Sequence, residues 1–389
     1  MKQSTGLAAA LLMTTLLTTG CGADRNAKDA QAENFQWQID RFDDINVLRY
    51  RVPDFDSLTP RQKQFVYYLG QAALCGRDIL YDQNCKYNLP VRRTLEAIYT
   101  TYDGDKATEQ WLAFEKYLKK VWFANGVHHH YSGDKFTPEF SAEYFDTLLA
   151  ATPADKFGDI RGTLLDTVKA VIFDPTLYPK RVDQTAGVDM IAASACNYYS
   201  GVTQQEAEAF YTALTDTTDR QPVSYGLNSQ LVKGPDGKIA ERVWSADGMY
   251  GPAIREIVKW LERAAEVADT PEQEAYTRTL IDYYKTGDLK RFDDYNVAWV
   301  QDTKSTVDYV NGFIENYGDP LGYKASWEST VNFKNIEATK TTQIISANAQ
   351  WFEDHSPIDP QYRKPHVKGV SAKVITVAML GGDCYPATP

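Results

Sequence analysis

The chain has 389 residues, 43% of them hydrophobic and 24% charged, a globular composition with apolar surface for more than one core. Its formal net charge is −11, and removing the first 20 residues, which hold Lys2 and no acid, leaves about −12. Such acidity repels phosphate backbones and no basic cluster reverses it locally, which excludes nucleic acid as a partner.

The chain opens with Lys2 and an apolar stretch, Leu7 to Leu17, too short to span a bilayer. Thr18-Thr19-Gly20-Cys21 then sets small residues before a cysteine, and resembles the lipobox of bacterial lipoprotein signals, although Thr18 stands where such boxes usually carry Leu. Residues 1–20 are therefore expected to be a signal peptide, Cys21 the lipidated first residue of the exported protein, and the small, polar, aperiodic residues 21–34 a flexible tether. Attachment to the cell-envelope membrane is expected through the lipid alone, since no later stretch is long and apolar enough to cross it.

Further along, three segments pair an N-cap Thr with Pro at the first helical position: Thr59-Pro60, Thr137-Pro138 and Thr270-Pro271. Helical spacing of apolar residues follows Thr59 and recurs over 105–125, 158–173, 203–214, 251–268 and 336–352. Strands are expected at 47–52, at 224–232 and 238–244 around the turn Gly234-Pro235-Asp236-Gly237, and at 307–315, 326–333 and 373–379. The class is α+β with a helical majority, organised as residues 35–335 and 336–389 after the tether. Cys75 and Cys85 are close enough in sequence to close a small loop, or each is a small buried hydrophobe.

No H-E-x-x-H, G-x-S-x-G or phosphate-binding glycine loop is present. His128, His129 and His130 form a triplet that on a strand would put His128 and His130 on one face, but Gly126 and Ser132-Gly133 around it indicate a loop, without an identifiable third ligand. The informative stretch is Asn311 to Pro320, followed by Trp327 and Glu328. If it leaves a strand at Phe313, alternation sends Glu315 and Tyr317 to one side, a carboxylate beside a phenol, suited to a cationic amine and a developing oxyanion.

Phe313-Ile314-Glu315, Tyr317, Asp319-Pro320 and Trp327-Glu328 resemble the substrate-cleft motif of the dipeptidyl-peptidase III family of zinc metallopeptidases. Tyr225 to Ser229, Gly126 to Phe136 and Val374 to Pro389 agree in order, so the resemblance runs from about residue 37 to the end. It implies two lobes around a cleft, the residues here forming mainly the peptide-receiving lobe with a small mixed β core, and the zinc lobe mostly missing. It implies that Glu315 and Glu328 hold the free amino terminus of a short peptide, that Tyr317 stabilises the oxyanion, and that Tyr131 lines the cleft. Zinc is implied for the complete protein. Because the sequence stops at Pro389, ahead of the family's zinc motifs, the chain as it stands is expected to bind none, to be inactive, and to be a monomer. A second reading is a non-enzymatic surface lipoprotein that binds glycans or peptides.

Overall fold

A computed structural model describes residues 35–52, 54–368 and 372–383. The expected signal peptide, Cys21 and the tether lie outside them, as does Cys384. The described chain divides into two units, the first ending at Arg51. That first unit is a hairpin of β1 (Gln38–Phe42) and β2 (Ile45–Leu48), turned through Asp43 at φ 52°. The strand expected over 47–52 is thus β2, shifted towards the amino terminus, and its partner β1 has too mixed a pattern to stand out in the sequence.

The second unit begins with helices α1 (Pro60–Cys75), α2 (Arg77–Asn84), α3 (Asn88–Thr101), α4 (Glu109–Phe123), α5 (Ala142–Ala151) and α6 (Thr163–Phe173). Thr59 caps α1 through a reciprocal capping box with Gln62, as its Thr-Pro start predicts. The Thr137-Pro138 start is not used: the chain stays irregular there, and Ser141 caps α5 by accepting from the Tyr144 N–H. Residues of α2 to α6, among them Tyr81, Leu95, Trp111, Phe114 and Phe145, close one apolar core.

A short helix α7 (Met190–Ala193) leads to β3 (Tyr199–Ser200) and α8 (Gln204–Leu214). The expected hairpin forms as β4 (Ser229–Lys233) and β5 (Ile239–Val243), with β3 parallel to β4 on its other side. Then come α9 (Gly251–Glu266), α10 (Pro271–Thr286) and α11 (Leu289–Gln301). The last sheet is antiparallel, β6 (Val307–Glu315), β7 (Ser326–Lys334) and β8 (Ile375–Gly382), with β7 central. Between β7 and β8 the single helix expected over 336–352 breaks at Asn348 into α12 (Ile336–Ala347) and α13 (Ala349–Asp354). The second core gathers α1, α9, α10 and this sheet around Phe65, Leu261, Tyr284 and Trp327. Cys75, Cys85 and Cys196 are all free thiols; Cys85 is a small buried hydrophobe, whereas Cys75 is only partly buried.

Among the described residues, no helix is long and apolar enough to cross a membrane.

Candidate functional site

The site lies where the last sheet ends. Alternate residues of β7 divide between two faces. Trp327, Ser329, Val331 and Phe333 are buried on one, and Glu328 is half-buried on the other. Trp327 is locked: its indole N–H donates to the Tyr284 hydroxyl (3.0 Å) and its backbone N–H to Gln83 Oε1 (2.9 Å). Gln83, on α2, also donates from Nε2 to the Ala325 carbonyl (3.0 Å), so one buried side chain grips β7 on both sides of Ser326. Gly76 is required next to it, since a Cβ there would stand 2.2 Å from the Trp327 ring. With Trp327 fixed, Glu328 must face the other way.

Both neighbours of Glu328 across the sheet are glycines, Gly312 on β6 and Gly382 on β8. Glu328 therefore has backbone rather than a side chain directly opposite it on both strands, with the Phe292 ring packed over Gly312, 3.1 Å from where a Cβ would stand. Gly382 has φ +70°, and a Cβ on it would meet the Trp327 carbonyl oxygen at 2.2 Å.

Glu315 reaches the same place by an irregularity. The β6–β7 register shifts between Phe313 and Glu315, so Glu315 pairs with Ser326 at the exposed end of the strand. The strand stops there. Tyr317 therefore does not share a side with Glu315 through strand alternation, as its spacing suggests; the following turn brings it back to the carboxylates.

That turn is held from beneath. Asp319, 1% exposed, accepts from the Tyr199 hydroxyl and from the backbone N–H groups of Tyr323 and Lys324, each at 2.8 Å. Lys324, wholly buried, donates from Nζ to Ser229 Oγ (3.1 Å), the Gly226 carbonyl (3.3 Å) and the Tyr211 hydroxyl, with Glu241 at 3.8 Å. Burial pulls its ammonium down to about 8, against the pull of Glu241 and Asp319. This network ties the Tyr317 turn to the β4–β5 hairpin, giving the Tyr225 to Ser229 stretch a structural role.

A third carboxyl joins from β8. The Asp383 N–H donates to the Trp327 carbonyl (3.0 Å), continuing the ladder past Gly382, and the residue is 5% exposed. Its side chain interacts with those of Tyr317 and Ser326, and Arg181 acts on it electrostatically. Burial first, then Glu315 and Asp383, push the Glu328 carboxyl up to about 7. Burial raises Asp383 as well, against Tyr317 and Arg181. The Tyr317 phenol is raised strongly by burial of its hydroxyl, then by Asp383, Glu328 and Glu315. Glu315, Glu328 and Tyr317 thus lie close enough to act on one another electrostatically.

Tyr131 stands on another loop, 68% exposed, with its ring against His130 at 4.5 Å. Its connection to the cluster runs through Arg181, whose guanidinium donates to the His130 carbonyl (3.5 Å). The histidine triplet is a loop, as its flanking glycines indicate. His128 is buried with Nε2 2.8 Å from the Tyr178 carbonyl, and burial drives its imidazole down to about 4. His129 Nδ1 accepts backbone N–H groups of Tyr131 and Ser132, each at 3.2 Å. Among the described residues no group of three or more His, Cys, Asp or Glu side chains is placed to hold a metal, so the residues present do not fit a zinc ion and no step is assigned to one.

Asp383, Arg181, Gln83 and Lys324 were not singled out by their sequence pattern. Asp383 had the only local signal, Gly381-Gly382-Asp383 at a strand end, where glycines allow close backbone approach.

Residues 201–387 match Peptidase family M49. The chain is 22% identical over 373 residues to dipeptidyl peptidase 3 of Homo sapiens, covering 86% of this chain and 50% of that protein. The solved structure of DPP III from Caldithrix abyssi superposes with a TM-score of 0.59 at 18% identity, covering 86% of this chain and 51% of that one. That of dipeptidyl-peptidase III from Corallococcus sp. strain EGB gives 0.56 at 20% identity, covering 87% and 50%. The chain spans about half the length of the curated relatives it matches. At these identities the structural likeness shows a shared fold.

Proposed function

The chain is related to the dipeptidyl-peptidase III family, and from that premise we propose that it supplies the amino-terminus-recognising part of an exported, zinc-dependent dipeptidyl aminopeptidase. The observation that carries this reading is the meeting of Glu328, flanked across the sheet by Gly312 and Gly382, with Glu315 and Tyr317 at one end of the sheet. Two carboxylates at one point suit the ammonium at the free end of a peptide, whose three N–H donors need acceptors. Anchoring that end fixes which peptide bond is presented for cleavage, which is the register an exopeptidase requires. Tyr317, on the exposed turn beside these carboxylates, is suited to donate to the oxygen that gains charge when that bond is attacked.

The measurement that tests this is calorimetric binding of a tetrapeptide with a free amino terminus against its N-acetylated form. The free peptide should bind at least tenfold more tightly, about 1.4 kcal/mol. Equal binding of the two would remove the ammonium cradle and favour a non-enzymatic binding lipoprotein.

Zinc, dipeptide release and the inactivity of these 389 residues alone belong to the same proposal. Metal analysis and hydrolysis of a dipeptidyl naphthylamide by the purified chain check them. Anchoring through Cys21 is proposed from its sequence context. Cys21→Ser should move the protein from the membrane to the soluble fraction, and retention on the membrane would refute the anchor.

A further inference from the structure

One buried charged group at the site has no part in the reading above. Asp383 is 5% exposed, yet its Oδ2 is a buried oxygen without a hydrogen-bond partner. A buried carboxyl left half unsatisfied is costly, and in a folded protein it asks for a reason. Its placement supplies one. The residue follows Gly382, which lies across the ladder from Glu328, and its own N–H is fixed on the Trp327 carbonyl at 3.0 Å. Its backbone therefore has little freedom, and its side chain points among Tyr317, Ser326 and the approach of Arg181. The Tyr317 turn is pressed against the same spot: a Cβ on Gly318 would stand 2.9 Å from Ser326 Oγ, which is itself 3.0 Å from the Tyr198 hydroxyl.

We propose that Asp383 is the positioning residue of this site, the buried acceptor that receives the Tyr317 hydroxyl and holds the phenol beside Glu328. Tyr317 is otherwise 58% exposed on a turn, and an exposed tyrosine without a fixed acceptor samples several rotamers. Asp383 is too buried to touch a peptide bound at Glu328 and acts through the tyrosine. Arg181 ties the arrangement to the loop of Tyr131 through the His130 carbonyl. The use of the arrangement in peptide cleavage rests on the reading given above; the arrangement itself does not.

The proposal has a consequence that a purely structural aspartate lacks. Glu328 faces Glu315 from β6 and Asp383 from β8, with Tyr317 at the turn, while Arg181 acts on Asp383 from the loop after α6. Asp383 and Glu328 thus share one electrostatic environment, and Asp383 and Tyr317 act directly on each other. Neutralising Asp383 removes a like charge facing Glu328, and removing the phenol takes a donor from Asp383.

Carbon-detected NMR titration of the 389-residue chain, labelled at Glu and Asp side-chain carboxyls, reads both. In Asp383→Asn the Glu328 midpoint should fall by about one pH unit from its value near 7. In Tyr317→Phe, which leaves the backbone untouched, the Asp383 midpoint should rise. An unmoved Glu328 in Asp383→Asn overturns the proposal. If that variant does not fold, an unmoved Asp383 in Tyr317→Phe does so instead. Neither measurement contains a peptide, so failure of the ammonium cradle leaves both expectations standing, and failure here leaves peptide binding untouched.

Discussion

The charge state of Glu328 gives the site a pH signature. Its carboxyl is held up at about 7 against an ordinary value of 4.5, through burial and the neighbouring Glu315 and Asp383. An ammonium is best received when that carboxyl is ionised, so affinity should follow the ionised fraction. For a midpoint near 7 that fraction is about one tenth at pH 6 and about nine tenths at pH 8. The peptide's own amine, with an ordinary value of about 7.7–8.0, loses its proton from about pH 7 upward, so affinity rises about fivefold from pH 6 to a maximum near pH 7.5 and then falls. The profile should be a bell centred at about pH 7.5. Calorimetry of a free tetrapeptide from about pH 5.5 to 8.5 at constant ionic strength reads it, since exposed charges respond to salt. Glu328→Gln should abolish the acid limb and leave the alkaline one. Linkage gives a second reading. Because folding raises this carboxyl, the stability conferred by its neutral form is complete below the unfolded value of about 4.5 and is lost as pH rises through about 7, a loss that Glu328→Gln should cancel. A flat binding profile between about pH 5.5 and 7.5, or an acid limb that survives Glu328→Gln, refutes the reasoning.

Asp319→Ala should cost about 3 kcal/mol in urea unfolding, because it strands the Tyr199 hydroxyl and the buried N–H of Lys324. Gly382→Ala sets a Cβ 2.2 Å from a carbonyl oxygen at a positive φ, so it should cost more than about 2 kcal/mol and speed amide exchange along β8 before the helices respond. Tyr317→Phe should cost about 1–2 kcal/mol in urea unfolding, because it takes a donor from the buried Asp383 carboxyl; a change below about 0.5 kcal/mol would count against that contact.

The elements that could be read from sequence are those whose local signals and tertiary setting agree. The strand over 307–315 has the predicted bounds, since its buried residues alternate against α1 and α10 and the turn after it begins at Asn316. The α1 start is legible because the Thr-Pro-x-Gln pattern satisfies the free N–H groups by itself. The same Thr-Pro signal fails at 137–138, where the Phe136 and Phe140 side chains are drawn into the helical core and the helix waits for Ser141. Helices α2 and α3 escaped notice because they bury polar groups along with apolar ones. Gln83, Asn84, Asn88, Arg92 and Thr94 are all inside, and a hydrophobic period cannot register side chains buried for their hydrogen bonds.

The site divides along the same line. Glu315, Tyr317 and Glu328 lie within 14 residues of one another and were visible as a pattern, whereas Gln83 and Asp383 act on them from 245 residues before and 55 residues after Glu328. Only the register of β7 joins them: Gln83 grips Trp327 from one side, and Asp383 donates to the same residue's carbonyl from the other. That arrangement explains why three acids can gather at one strand end. Glu315 stands at the exposed strand end, while Glu328 and Asp383 are fixed by backbone contacts that do not depend on their charge, so their mutual repulsion is not relieved by moving apart. It is relieved by protonation, on Glu328 in the neutral range, and by Arg181 acting on Asp383. A cationic peptide terminus arriving at Glu328 would relieve it in a third way, by supplying positive charge where the proton sits. The acids are therefore positioned in advance of the ligand, with part of the electrostatic work of binding done when the chain folds.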